Sequence, residues 1–247
     1  MLIKACLNGS RAPEEHPALP VTPDELAEAA VAAVAAGAGA LHIHPRGANG
    51  AQMLAAGDQS AALLAIRAHL PVIPLGVSTA AWIEPDVERR LAAISSWRDA
   101  PSLPNFASVN VGEEGDEAVC EALLALGIGV EAGLATPADA QRLLASGLAS
   151  HCLRILIEPD EEDATAALHA AWQIIAALDA GGIDQPRLLH GAAEATWPVL
   201  DLALQLDYAT RIGLEDTLAL PDGRRARDNA ELVAEAVRRA QASARIA

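Results

Sequence analysis

The chain reads as a (β/α)8 barrel, a single domain over residues 1–247. Three observations lead there. Eight short strand-like runs alternate with longer Ala- and Leu-rich helical runs. A length of 247 residues suits one barrel, and no break in composition suggests a second domain. Polar residues gather at the C-terminal ends of the predicted strands, the face on which barrel active sites sit. A doubly wound open sheet is the alternative. It calls for a glycine-rich phosphate loop after the first strand, and LNGSRAPEEHP at 7–17 is not G-x-G-x-x-G.

The first strand is predicted over 2–9 (LIKACLNG) and ends in Asn8, Gly9, Ser10 and Arg11. An irregular stretch, 9–21, follows it. Thr22-Pro23-Asp24-Glu25 then starts a helix, with Pro at its first position and acids in its first turn, and Gly37 stops it. The second strand, 40–46, carries His42, His44 and Arg46; the third, 71–79, ends in Ser78-Thr79. The fourth, 106–111, carries Ser108 and Asn110, and the fifth, 129–135, carries Glu131. Thr136-Pro137-Ala138-Asp139 repeats the helix start, and Gly147 the stop. The sixth strand, 152–159, has Arg154 and Glu158; the seventh, 186–193, has His190. The acidic run from Glu158 to Asp163 reads as solvated loop and helix start, Glu158 being the one member that a barrel mouth could use. The eighth strand, 208–216, has Arg211, Glu215 and Asp216, before an irregular stretch at 217–227. Strand interiors read as apolar.

Composition narrows the function classes. Apolar residues make up 52% of the chain and aromatics 2%, so Ala, Leu, Val and Ile must build a core of closely packed helices. No apolar run reaches the ~18 residues of a membrane span, and MLIKACLNG lacks a signal peptide's basic end. Cys6, Cys120 and Cys152 show no metal-type spacing and fit buried thiols of a reducing compartment, so a cytoplasmic protein is expected. A net charge of −16 with one lysine, Lys4, argues against a nucleic-acid partner. A small anionic substrate remains compatible, because local arginines set the potential of one pocket.

The chemistry is concentrated in LHIHPRG at 41–47. Side chains at i, i+2 and i+4 of a strand share a face, so His42, His44 and Arg46 project together. Two imidazoles side by side suit a transition metal, zinc most commonly; two unrelated histidines are the other reading. On the eighth strand Arg211, Gly213 and Glu215 share a face, with Gly213 leaving space beside the charges. Charged groups inside a barrel have to be paired or metal-bound. His69, His151 and His169 read as surface or helix-packing residues, while His16 is open between structure and function. Trp82 and Trp197 suit either a pocket wall or plain packing.

Together these residues resemble the β-keto acid cleavage enzyme family. The matching motifs are NG-x-R and HPALPVTPDEL within 8–26, AGAGALHIHPR at 36–46, GVST at 76–79, ASVNVG at 107–112, RIGLED at 211–216 and NAELV at 229–233. The resemblance implies a (β/α)8 barrel with one zinc ion held by His42, His44 and Glu215. It implies a homo-oligomer and a reaction joining a β-keto acid to acetyl-CoA, giving acetoacetate and a new acyl-CoA. Arg211, Asp216 and Ser78 are then the catalytic set, with Asp216 the candidate base. Arg211 at hydrogen-bonding distance is expected to lower the Asp216 pKa. Ser108, Asn110, Thr79, Arg46 and Arg11 are the expected substrate contacts.

Arg11 stands where the family member taking an aminated keto acid has a glutamate. That predicts preference for a neutral or anionic substituent, unless Arg11 turns outward to Glu14 or Glu15. Arg224 and Arg225, with Arg227 just before a helix start at Asp228-Asn229, form the best local cluster for the CoA phosphates. Two other functions fit the same residues: a metal-dependent hydrolase or lyase activating water, and a non-catalytic metal-stabilised binding protein.

Overall fold

The computed structural model describes residues 1–244; the last three residues of the predicted domain, 245–247, lie outside the described residues. Its strands are β1 (Ile3–Cys6), β2 (Ala40–Ile43), β3 (Leu75–Ser78), β4 (Phe106–Asn110), β5 (Gly129–Leu134), β6 (Arg154–Ile157), β7 (Arg187–Leu189) and β8 (Thr210–Ile212). They alternate with α1 (Pro23–Ala35), α2 (Ala56–Arg67), α3 (Val87–Ser96), α4 (Asp116–Ala125), α5 (Pro137–Ser146), α6 (Ala164–Ala180), α7 (Thr196–Gln205) and α8 (Asn229–Ser243). All neighbouring strands pair in parallel, in the order β7-β6-β5-β4-β3-β2-β1-β8. A bridge between Leu188 and Ala209 brings the ends of this sheet together into a nearly closed (β/α)8 barrel. Among the described residues no helix is long and apolar enough to cross a membrane.

Every strand is shorter than the apolar run that announces it. β2 stops at Ile43 because Pro45, two residues on, has no N–H for the ladder. β8 stops at Ile212 because the chain turns there: the amides of Asp216 and Thr217 both donate to the Gly213 carbonyl. His44, Glu215 and Asp216 are therefore loop residues at the barrel mouth. Gly213 does not leave a void. A Cβ there would overlap the Cys6 carbonyl, so the position serves a close approach of β1 and β8.

The helix starts form as their residues dictate. Thr22 Oγ1 accepts from the Glu25 amide while Glu25 accepts from the Thr22 amide, and Thr136 and Asp139 repeat the box. Gly147 follows α5 at φ 74°, a left-handed conformation that glycine adopts without penalty. Buried Leu26, Ala27, Ala30 and Ala33 seat α1.

The barrel interior departs from the expected apolar filling. Lys4 in β1 and Glu131 in β5 are both fully buried, with Nζ 2.5 Å from Oε2. Arg154 Nε lies 3.1 Å from the other Glu131 oxygen. Phe106 covers the group, with its ring centroid 5.4 Å from Lys4 Nζ, and Gly76 leaves room for that ring. Glu131 and Arg154 thus sit beneath the mouth, where Glu131 is the shared counter-charge of Lys4 and Arg154.

Candidate metal centre and active site

His42 in β2 and His44 just beyond its end are directed inward, both buried. Their Nε2 atoms lie 3.1 Å apart. Glu215, in the turn after β8, places Oε2 4.0 Å from His42 Nε2 and 3.7 Å from His44 Nε2. One ion with bonds of about 2.0–2.2 Å would hold tetrahedral ligand atoms about 3.3–3.6 Å apart. The three observed separations bracket that range. Glu215 Oε2, the oxygen that faces the two imidazoles, is buried without a hydrogen-bond partner, as an oxygen reserved for a metal would be. Burial, reinforced by His44, pushes the His42 pKa well down and keeps its ring in the neutral, metal-binding form. This chain's donor set therefore fits a divalent metal.

Residues around the ligands fix their direction. Asn8 is fully buried; its Oδ1 accepts from the His44 amide and its Nδ2 donates to the carbonyls of His44 and Pro20. His44 Nδ1 donates to Gln52 Oε1 at 2.5 Å, which leaves Nε2 as the free donor atom. Asn229, at the start of α8, accepts from the Leu214 amide and donates to the Leu7 carbonyl, pinning the turn that carries Glu215. Gly9 closes the assembly at φ 54°, with Glu215 lying over its Cα.

Beside the three ligands stands the Arg211–Asp216 pair. Arg211 donates from Nε and Nη2 to Asp216 Oδ1, at 3.0 and 2.7 Å, and from Nη2 to Glu215 Oε1 at 3.0 Å. Asp216 Oδ2 is buried and unpartnered. Burial sets the net direction at Asp216: it raises the pKa and outweighs Arg211, which pulls the value down as expected. Ser78 is buried, with Oγ accepting from the Ala80 amide at 3.3 Å, and pairs in register with Ser108. Asn110 Nδ2 donates to Glu113.

Other expected contacts are committed elsewhere. Arg46 donates to the carbonyls of Gly9, Arg11 and Gly50, so it locks the loops after β1 and β2. Thr79 donates its hydroxyl to the Ser108 carbonyl, bracing β3 against β4. Arg11 pairs with Glu15 at 2.9 Å and donates to the Leu214 carbonyl, the outward turn that the sequence left open as its alternative. Arg224 and Arg225 are exposed at the start of α8. Arg224 pairs with Glu231 at 2.9 Å, and Arg225 donates to the Glu15 carbonyl. His16 is structural, bridging the Ala226 carbonyl and the Ala18 amide. His69, His151 and His169 are exposed. Trp197 is buried and donates to the Ala219 carbonyl, whereas Trp82 is exposed.

Sequence reasoning assigned no role to Gln52 or to the pair Glu158–His190. Gln52 belongs to no strand motif and is brought to His44 by the turn after β2. Glu158 and His190 are visible as strand-end polar residues, but nothing in their spacing signals that Oε2 and Nε2 meet at 3.0 Å.

Solved structures share this architecture. The apo structure of ObcA superposes with a TM-score of 0.70 at 20% identity over 94% of this chain and 63% of that one. A binary complex of ObcA with oxaloacetate gives 0.71 at 19% identity, over 94% and 65%. The N-acetylmannosamine-6-phosphate 2-epimerase from Clostridium perfringens gives 0.57 at 12%, over 87% of each chain. At these identities the likeness shows the fold, and the chain spans just under two thirds of the ObcA length. The family model described as beta-keto acid cleavage enzyme matches residues 1–151 and 164–246. With a match over nearly its whole length, the chain belongs to the beta-keto acid cleavage enzyme family.

Proposed function

We propose that this protein is a zinc-dependent enzyme that exchanges acyl groups between a β-keto acid and acetyl-CoA. The acid R–CO–CH2–COO⁻ and acetyl-CoA would give acetoacetate and R–CO–CoA, so that one carbon–carbon bond breaks and another forms. The carrying observation is the convergence of His42 Nε2, His44 Nε2 and Glu215 Oε2 beside the Arg211–Asp216 pair. That combination suits a carbon acid.

His42, His44 and Glu215 would hold the metal, which supplies Lewis-acid polarisation of the keto oxygen. Asp216 is the proposed base, acting through Oδ2 because Oδ1 is taken by Arg211. It removes a proton from the carbon between the ketone and the carboxylate. A buried carboxyl with a raised pKa is a stronger base than a solvated one. Arg211 holds that carboxylate in place and balances Glu215. Ser78, Ser108 and Asn110 line the neighbouring strand ends and are assigned to the substrate's polar atoms. Arg224 and Arg225 remain the proposed contacts for the CoA phosphates, being exposed and next to a helix N-terminus. Replacing both with Ala is expected to raise the KM for acetyl-CoA severalfold.

The ObcA structure in complex with oxaloacetate, itself a β-keto acid, supports a small keto acid as substrate. The three buried cysteines support a cytoplasmic location, and the family resemblance a homo-oligomer. Incubation with acetyl-CoA and a panel of β-keto acids, followed by mass spectrometry, tests the reading. Equal amounts of acetoacetate and a new acyl-CoA are expected, and a chelator should abolish both. Turnover that needs no CoA would favour the hydrolase or lyase, and no turnover of any acid would favour the binding protein.

A further inference from the structure

We infer that Glu158, seated by His190 and Gly133, is the specificity anchor for a cationic group at the end of the substrate remote from its carboxylate. This rests on the keto-acid reading above. Position argues first. In an eight-stranded barrel the strand four places from β2 lies diametrically across from it, and that strand is β6. The metal-binding histidines extend from β2 and Glu158 from β6, so a substrate held at the histidines directs its far end toward Glu158.

Charge argues second. Three other carboxylates in and beneath the mouth already have arginine or lysine partners: Glu131 has Lys4 and Arg154, while Glu215 and Asp216 share Arg211. Among the described residues the one ion-pair partner of Glu158 is His190, a ring that burial and Arg211 keep neutral. It donates a hydrogen bond without a full counter-charge, and burial raises the Glu158 pKa, as expected of a carboxylate that lacks a cation. The Glu158 side chain is 20% exposed, the His190 side chain 7% and that of Asp216 1%. Glu158 is thus the member of this line that a ligand reaches first.

Shape argues third. A Cβ at Gly133 would overlap Glu158 Oε1 and lie 2.9 Å from its carboxyl carbon. The glycine in β5 is what lets the carboxylate lie inside the barrel. Glu158 falls in 152–163, the segment that the family model does not match. The net charge of −16 adds a field that draws cations to the mouth. Arg11, already held by Glu15, offers no competing positive charge there.

The test is calorimetric binding of two unreactive 3-hydroxy acids of equal length to the metal-loaded protein, one ending in an ammonium and one in a methyl group. Wild type is expected to bind the ammonium acid at least tenfold more tightly. Glu158→Gln should bring the ratio to within twofold of one, and Gly133→Ala, which unseats the carboxylate, should lower it too. Equal binding of both acids by wild type would overturn the inference and leave the keto-acid reading standing. An undiminished ratio in a folded Glu158→Gln protein would also overturn it. Binding of neither acid would refute the keto-acid reading and the inference with it.

Discussion

Gly9→Ala is expected to disable the metal centre without touching a ligand. Gly9 has φ 54°, and a non-glycine residue there costs about 1–2 kcal/mol. The larger effect is steric. The new Cβ would overlap Glu215 Cγ and lie 2.9 Å from its Cβ and 3.0 Å from its carboxyl carbon. Those atoms are close to the backbone and cannot swing aside. The Glu215 amide is tied to the Cys6 carbonyl and the Leu214 amide to Asn229. The carboxylate must leave its place opposite the histidines. We expect metal affinity to fall by about 10–100-fold, the range seen when a ligand's outer support is lost. At saturating metal, tenfold weaker binding removes about 1.4 kcal/mol of metal-dependent stabilisation, or roughly 3–6 °C of the metal-induced rise in Tm. Gly147→Ala is the control: φ is 74° and nothing lies within 4 Å of the new Cβ, so it carries the backbone cost alone. Thermal melts of wild type and both variants, with and without metal, decide the matter. A Gly9→Ala protein with the wild-type metal-induced shift would refute the reasoning, as would loss of that shift in Gly147→Ala.

Three further outcomes follow from the same geometry. Lys4→Met strands Glu131 with Arg154 alone; breaking a buried pair costs about 3–5 kcal/mol, and the remaining arginine places this case near the lower end. Urea unfolding should show it, and a loss under about 1 kcal/mol would contradict the buried-pair account. Asp216→Asn should lower kcat by about 10²–10⁴-fold with metal content retained, and more than a tenth of the activity surviving would exclude Asp216 as base. Because burial raises the Asp216 pKa, the base is lost to protonation as pH falls through a value above the ordinary aspartate range. The wild-type rate should decline there and the Asn variant should lack that limb. Burial pushes Cys120 up to about 12 and Cys152 to about 11, and raises Cys6. Thiol reagents at pH 8 should leave the native protein unlabelled and modify all three cysteines in denaturant; rapid native labelling would show the burial to be wrong.

Much of this site is legible in the sequence because strand parity is a rigid rule. The spacing of two between His42 and His44 places both on the inner face wherever β2 ends. Helix caps at Thr22 and Thr136 are legible for the same local reason. Tertiary relations are not. Glu131 and Arg154 look like mouth residues until closure of the barrel sets Lys4 of β1 across the interior against Glu131. Arg46 shares a face with the histidines, yet its reach carries the guanidinium to three backbone carbonyls. The balance between burial and Arg211 at Asp216 depends on depth, which spacing does not encode. Glu158 meets His190 only because β6 and β7 are neighbours and Gly133 leaves a seat, and neither condition has a local signature.

The central claim is that one divalent metal joins β2 to the turn after β8. Anomalous diffraction from crystals of the metal-loaded protein tests it directly. The account predicts one strong peak per chain within bonding distance of His42 Nε2, His44 Nε2 and Glu215 Oε2, absent in His42→Ala. A peak held by other residues, or none at stoichiometric metal, would contradict it.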